Sequence, residues 1–140
     1  MEGILDFHRS EMISQMRPIY KGNLNPLEKL LKTIDFQFRY FSNNPEMATV
    51  IFSELIFQNE EALSQKIKLS IDKNIEVTEK LIKDGQNQGV IRNDIAAKEL
   101  TSMYYGSIRF TLLRWKLNDY KDNLVKESKG LKKMIMSLWK

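Results

Sequence analysis

Apolar residues recur every three or four positions through most of this 140-residue chain, and no stretch sustains the period-two alternation of a strand. The spacing predicts six helices. The first runs from about Glu2 to Tyr20, with Ile4, Leu5, His8, Met12, Gln15, Met16 and Ile19 along one broad side, and Pro18 with Lys21-Gly22-Asn23 marks its end. Asn25-Pro26 reads as an N-cap with proline in the first helical position, opening a second helix through Leu27, Leu30, Leu31, Ile34, Phe38 and Phe41. Ser42-Asn43-Asn44-Pro45 breaks the pattern and starts a third, with Met47, Val50, Ile51, Phe52, Leu55 and Ile56.

A long fourth helix is expected from Asn59-Glu60-Glu61, whose acidic residues suit a helix N-terminus, to about Gln88, with Gly85 loosening its end and Gly89 stopping it. Asn93 or Asp94 is the natural cap for a fifth helix ending at Leu117, and Asn118-Asp119-Tyr120-Lys121 turns the chain into a sixth, carrying Leu131, Met134, Ile135, Leu138 and Trp139. The fifth helix is the most informative, because it carries two apolar seams. One is Met103, Gly106, Phe110, Leu113 and Leu117; the other is Leu100, Tyr104, Ile108, Thr111 and Trp115, rotated by about 100°. A helix apolar on two sides needs two partners, its own core and a second surface such as another copy of the chain. Short turns and no sheet imply an all-α fold, an antiparallel six-helix bundle forming one domain over residues 1–140.

Charge alters this picture only at one end. Six lysines against Asp122 and Glu127 give residues 121–140 a net +4, while the rest of the chain balances 16 basic with 16 acidic groups. A solvated lysine-rich face explains that excess better than a phosphate-binding one. The chain has no cysteine, which excludes disulfides and thiolate metal sites. It shows neither a signal peptide nor an apolar run near the ~20 residues of a membrane span, so a cytoplasmic location without membrane contact is expected.

Candidate chemistry points away from catalysis. The single histidine, His8, sits beside Phe7 and within a helical turn of Glu11, an arrangement more often structural than catalytic. With no histidine pair, phosphate loop or nucleophile elbow, we expect no enzyme activity, no metal and no cofactor.

Methionines and aromatics are a stronger signal. Met12, Met16, Phe38 and Tyr104 are expected to point inward between the first, second, fourth and fifth helices, where plain core packing competes with a cavity of variable content. Gln15, Asn74, Thr78, Tyr104 and Thr111 on otherwise inward faces would orient a ligand there; in an ordinary core each needs a protein partner.

Four passages, Phe41-Ser-Asn-Asn-Pro-Glu-Met47, Gly85-Gln-Asn-Gln-Gly-Val-Ile-Arg92, Asp94-Ile-Ala-Ala97 and Gly106 through Trp115 with Leu124, together resemble the C-terminal regulatory domain of TetR-family transcriptional repressors. The resemblance implies a ligand cavity enclosed by the earlier helices and a homodimer built by the last two helices against their symmetry mates. Met103, Gly106, Phe110, Leu113 and Leu117, with Leu131, Ile135 and Leu138, would form that interface. It also implies an N-terminal helix-turn-helix that reads DNA. Met1 falls where the family's connecting helix would begin, so the expectation is a shortened form or natural remnant that meets DNA only through that missing part. The function implied is effector sensing and dimerisation, with an apolar or amphipathic small molecule as effector. The alternatives are a stand-alone helical small-molecule carrier or a protein-interaction module.

Overall fold

The computed structural model describes the backbone of residues 2–51 and 61–140, and the side chains of 6–49, 65, 68, 69 and 71–140. Phe52, Leu55, Ile56, Asn59 and Glu60, invoked above, lie outside the described residues. Six helices are present among the described residues: α1 (Glu2–Lys21), α2 (Pro26–Asn43), α3 (Pro45–Ile51), α4 (Glu61–Asn87), α5 (Ala97–Leu117) and α6 (Leu124–Trp139).

The start of α2 forms as its sequence implies. Asn25 Oδ1 accepts from the Glu28 backbone N–H at 2.9 Å, satisfying one orphan donor of the helix start, and its side-chain amide donates to the Glu28 carboxylate at 2.7 Å, which holds the cap in place. Asn123 caps α6 in the same way, accepting from Lys126 N at 3.2 Å. At α5 the expectation fails. The N-cap position is Ala96, which makes no side-chain bond, and Asp94 is instead gripped by the Arg92 guanidinium through two bonds of 2.7 Å. Pro18 does not end α1, which continues through it to Lys21.

Helix α2 occupies the middle of the bundle, packing on α1, α3, α4 and α6, while α4 and α5 pack on each other. The core follows from this placement: Leu30, Ile34 and Phe38 of α2 are enclosed together with Ile82, Tyr104, Ile108, Leu124, Ile135 and Trp139. Burial of an apolar face on α2 from several sides explains its strongly amphipathic sequence.

The α4–α5 corner is closed by a glycine with no room for a side chain. A Cβ on Gly85 would lie 2.5 Å from Ile91 Cδ1 and 2.8 Å from its Cγ1. The Gly85 carbonyl accepts from both Val90 N (2.9 Å) and Ile91 N (3.1 Å), folding the chain back on itself, and Gly89 takes the left-handed φ of +76° that the turn requires. Gly85 is therefore a packing glycine rather than a loosening one. Beyond it, Arg92 reaches the far end of the bundle. Its backbone N–H meets Trp139 O at 2.7 Å and its guanidinium meets Leu138 O at 3.0 Å, satisfying carbonyls that the last turn of α6 leaves without helical partners.

Candidate functional site

Helix α5 carries two faces, and they point in nearly opposite directions rather than about 100° apart as expected. The inward face is Leu100, Tyr104, Ile108, Leu112 and Trp115, so Leu112 takes the place assigned to Thr111. Thr111 is half-buried and donates to Ser107 O at 2.8 Å, the local bond by which a mid-helix threonine satisfies itself. On the opposite side Phe110 is 61% exposed and Leu117 68%, next to half-buried Leu113 and open Gly106, around which a Cβ would meet nothing within 4 Å. Met103 is half-buried against the core.

Helix α6 divides differently from the expectation. Leu131 and Ile135 are buried, the latter fully, within their own chain, because they share the stripe of Leu124, Ser128 and Trp139 that packs inward. Neither side chain has the surface that a partner would need. The outward apolar residues are Leu138, as expected, and Met134, with Val125 and Met136 round the other flank.

The inward candidates gather in part. Phe38, Thr78 and Tyr104 are buried, and Met12 packs against the core at its edge, with Met16 half-buried one turn on. Gln15 and Asn74 are exposed. On α1 the inward stripe is His8, Met12 and Met16, and Gln15 lies one residue, or about 100°, off its last member. On α4 Asn74 shares the general direction of Thr78 and Ile82, but its neighbours Ile71 and Ile75 are only half-buried, so this half of the helix face is incompletely covered by the described residues.

Of the inward polar candidates, Tyr104 has a clear protein partner. The Tyr104 hydroxyl donates to Leu30 O at 3.0 Å, and burial holds this phenol well above its ordinary pKa, with Tyr20 and Tyr105 adding to the effect. Tyr105 is likewise pushed up by burial, opposed by a hydrogen bond with the Thr78 side chain; Tyr20 is raised by burial, opposed by Thr33. A separate small polar cleft, about 60 Å³, is bounded by Thr111, Arg114, Trp115, Asp122 and Glu127; it admits a few waters and no long apolar molecule. No group of three or more His, Cys, Asp or Glu among the described residues could hold a metal ion.

The family model for the C-terminal region of YsiA-like proteins, of TetR type, matches residues 7–138. The chain belongs to this family. A relative within reach by sequence is the "Fatty acid metabolism regulator protein" of Bacillus subtilis (strain 168), 26% identical over 127 residues. That alignment covers 91% of this chain, which spans 65% of the relative's length. The fold matches the crystal structure of the transcriptional regulator FadR from Bacillus subtilis in complex with stearoyl-CoA, with a TM-score of 0.81 at 25% identity, covering 94% of this chain and 72% of that one. It also matches the fatty acid degradation regulator FadR from Bacillus halodurans, with a TM-score of 0.79 at 18% identity over 95% of this chain and 70% of that one, a likeness of fold alone. Family and relatives are transcription regulators, not enzymes. No helix among the described residues is long and apolar enough to cross a membrane.

Within this family frame, His8 is the residue whose surroundings the sequence least reveals. It is 4% exposed, with Nδ1 2.6 Å from the Tyr40 hydroxyl and Nε2 3.2 Å from Glu46 Oε1. Glu11 does not pair with His8 directly; it accepts from the Tyr40 hydroxyl at 2.9 Å. Tyr40 and His8 are separated by 32 positions, and only the crossing of α1 over α2 brings them together.

Proposed function

We propose that this chain is the effector-sensing and dimerisation domain of a TetR-type transcription regulator, and that its effector is a long-chain acyl thioester or a related amphipathic molecule. The observation that carries the reading is the match of nearly the whole chain, in sequence and in fold, to fatty acid metabolism regulators, one of them solved with stearoyl-CoA. In this reading the effector sits between α1, α2, α4 and α5, and the adaptable apolar side chains of Met12, Met16 and Phe38 beside the hydroxyls of Thr78 and Tyr104 support it. Because the Tyr104 hydroxyl is already bonded to Leu30 O, an effector enters by exchanging that hydrogen bond as well as by filling space, and the exchange moves one helix relative to another.

The homodimer in this reading forms through the outward face of α5 (Met103, Gly106, Phe110, Leu113 and Leu117) with Leu138 and Met134 of α6. A face this apolar, opposite to a complete inward face, is unfavourable in water. DNA contact falls to a helix-turn-helix outside residues 1–140, and duplex binding by residues 1–140 alone should be weak and steeply salt-dependent.

Two measurements test the proposal. Stearoyl-CoA at a hundred times its Kd should stabilise the domain by about 2.7 kcal/mol in thermal denaturation, with coenzyme A alone giving little. In analytical ultracentrifugation at tens of micromolar the wild type should sediment as a dimer and Phe110→Glu as a monomer, since a charge in an apolar interface centre costs several kcal/mol. A wild-type monomer with no response to any acyl-CoA would overturn both halves and favour an interaction module.

A further inference from the structure

Trp139 is the largest side chain that the fold buries completely, and its indole Nε1 has no hydrogen-bond partner. An N–H withdrawn from water without an acceptor loses its hydration and gains nothing in return, which is why such groups are rare in folded proteins. The residue is also held in place. Its carbonyl accepts from Arg92 N at 2.7 Å, and the Leu138 carbonyl before it accepts from the Arg92 guanidinium at 3.0 Å. One turn back along α6, Ile135 is fully buried as well. The last turn of α6 is thus fastened to the bundle with an unpaired donor on its inner side.

The indole ring lies against that of Tyr104, with centroids 6.2 Å apart and planes tilted by 46°. Tyr104 belongs to the inward face of α5 that the effector reading sets against the ligand, and its own hydroxyl donates to Leu30 O. An indole N–H can only donate, so an acceptor oxygen is what completes it. Charge narrows the choice. A carboxylate buried here would need a cation or several donors to offset its lost hydration. Among the described residues His8 is the only buried side chain able to carry a positive charge, and it is bonded to Tyr40. A neutral carbonyl needs no such offset, and one well-placed donor serves it.

We propose that Trp139 is a specificity-determining residue of the effector site: its indole N–H donates to the neutral acyl carbonyl of the effector. This rests on the effector reading above and adds the end of α6 to the helices that touch the ligand. Because the donor is already desolvated in the folded chain, pairing it recovers a cost incurred on folding. That gain falls only to a ligand that carries the carbonyl, and an analogue without it leaves the donor unpaired.

The test compares stearoyl-CoA with S-octadecyl-CoA, a thioether of the same tail and head that lacks only the carbonyl. Wild type should bind the thioester about tenfold more tightly in calorimetry. Trp139→Phe keeps a ring and removes the donor, so the two ligands should then differ by less than about twofold. A purely structural role for Trp139 would weaken both ligands alike and keep their ratio. The chain has two tryptophans, so a nitrogen–proton correlation spectrum shows two indole peaks, told apart by Trp115→Phe. The Trp139 indole proton should move downfield with stearoyl-CoA and stay in place with the thioether. Should Trp139→Phe fail to fold, that shift in wild type decides alone. Equal wild-type affinities, a ratio that survives Trp139→Phe, or an indole proton that moves alike with both ligands overturns the assignment. If neither ligand binds, the effector reading itself fails and this assignment with it.

Discussion

Replacing Gly85 by alanine sets two effects of known sign against each other. In an ordinary helix interior Gly→Ala stabilises by about 1 kcal/mol, through reduced backbone freedom in the unfolded chain and better helix propensity. Here the new Cβ would lie 2.5 Å from Ile91 Cδ1, 2.8 Å from Cγ1 and 3.4 Å from Cβ, against an ordinary carbon–carbon contact of ~3.5–4.0 Å. The terminal Cδ1 can swing away. Cγ1 and Cβ cannot follow freely, because Ile91 is 3% exposed and its backbone N–H is bonded to the Gly85 carbonyl. Overpacking of this kind costs about 1–3 kcal/mol, so the net expectation is a loss of about 1 kcal/mol. Urea denaturation followed by circular dichroism, at one fixed protomer concentration, reads it as a lower midpoint with unchanged slope. Ile91→Val deletes the closest atom, so the double variant should be more stable than the sum of the single changes by ~0.5 kcal/mol or more. A midpoint for Gly85→Ala at or above wild type would refute the reasoning, showing that the α4–α5 corner yields to a methyl group without strain.

Two further outcomes follow from contacts already described. Arg92→Ala should unfasten the end of α6, read as faster amide exchange over residues 136–140 with the centre of α2 unchanged; the same fraying should appear in wild type as pH falls below ~4, since the Arg92 hydrogen bonds lower the Asp94 pKa and the pairing is lost when Asp94 protonates. Tyr20, Tyr40, Tyr104 and Tyr105 all have raised phenol pKa values, so their stabilising contribution is complete below pH ~10 and is lost as pH rises beyond it. Absorbance at 295 nm should therefore show their ionisation arriving together with alkaline unfolding, and a smooth titration near pH 10 with the helices intact would contradict their burial.

The architecture was legible in the sequence because its signals are local. Asn25-Pro26 announces a helix start whichever way the bundle closes, and the three- and four-residue spacing of Leu100, Tyr104, Ile108 and Trp115 announces the buried face of α5. The errors lie where local signals run out. Leu131, Ile135 and Leu138 share helical spacing, yet the first two face the chain's own core and the third faces outward; periodicity marks a stripe without saying what covers each part of it. Gln15 was misassigned by one residue, which on a helix is about 100°. The His8–Tyr40 contact spans 32 positions and the Arg92–Leu138 contact 46, so neither follows from spacing. The sequence also does not show that the inward Tyr104 hydroxyl is bonded to Leu30 O, 74 positions away.

The central position of α2 has a consequence for how the protein is made. Its apolar face is completed by α6, and the Lys132–Asp35 ion pair across that contact joins residues 97 apart. At about 5–20 residues per second of synthesis, α2 waits on the order of 5–20 s for the helix that covers it. During that interval the α6 side of a strongly amphipathic segment stays uncovered and available to chaperones. Closure of the core around α2 therefore waits for synthesis of α6, whatever the pace at which the earlier helices form.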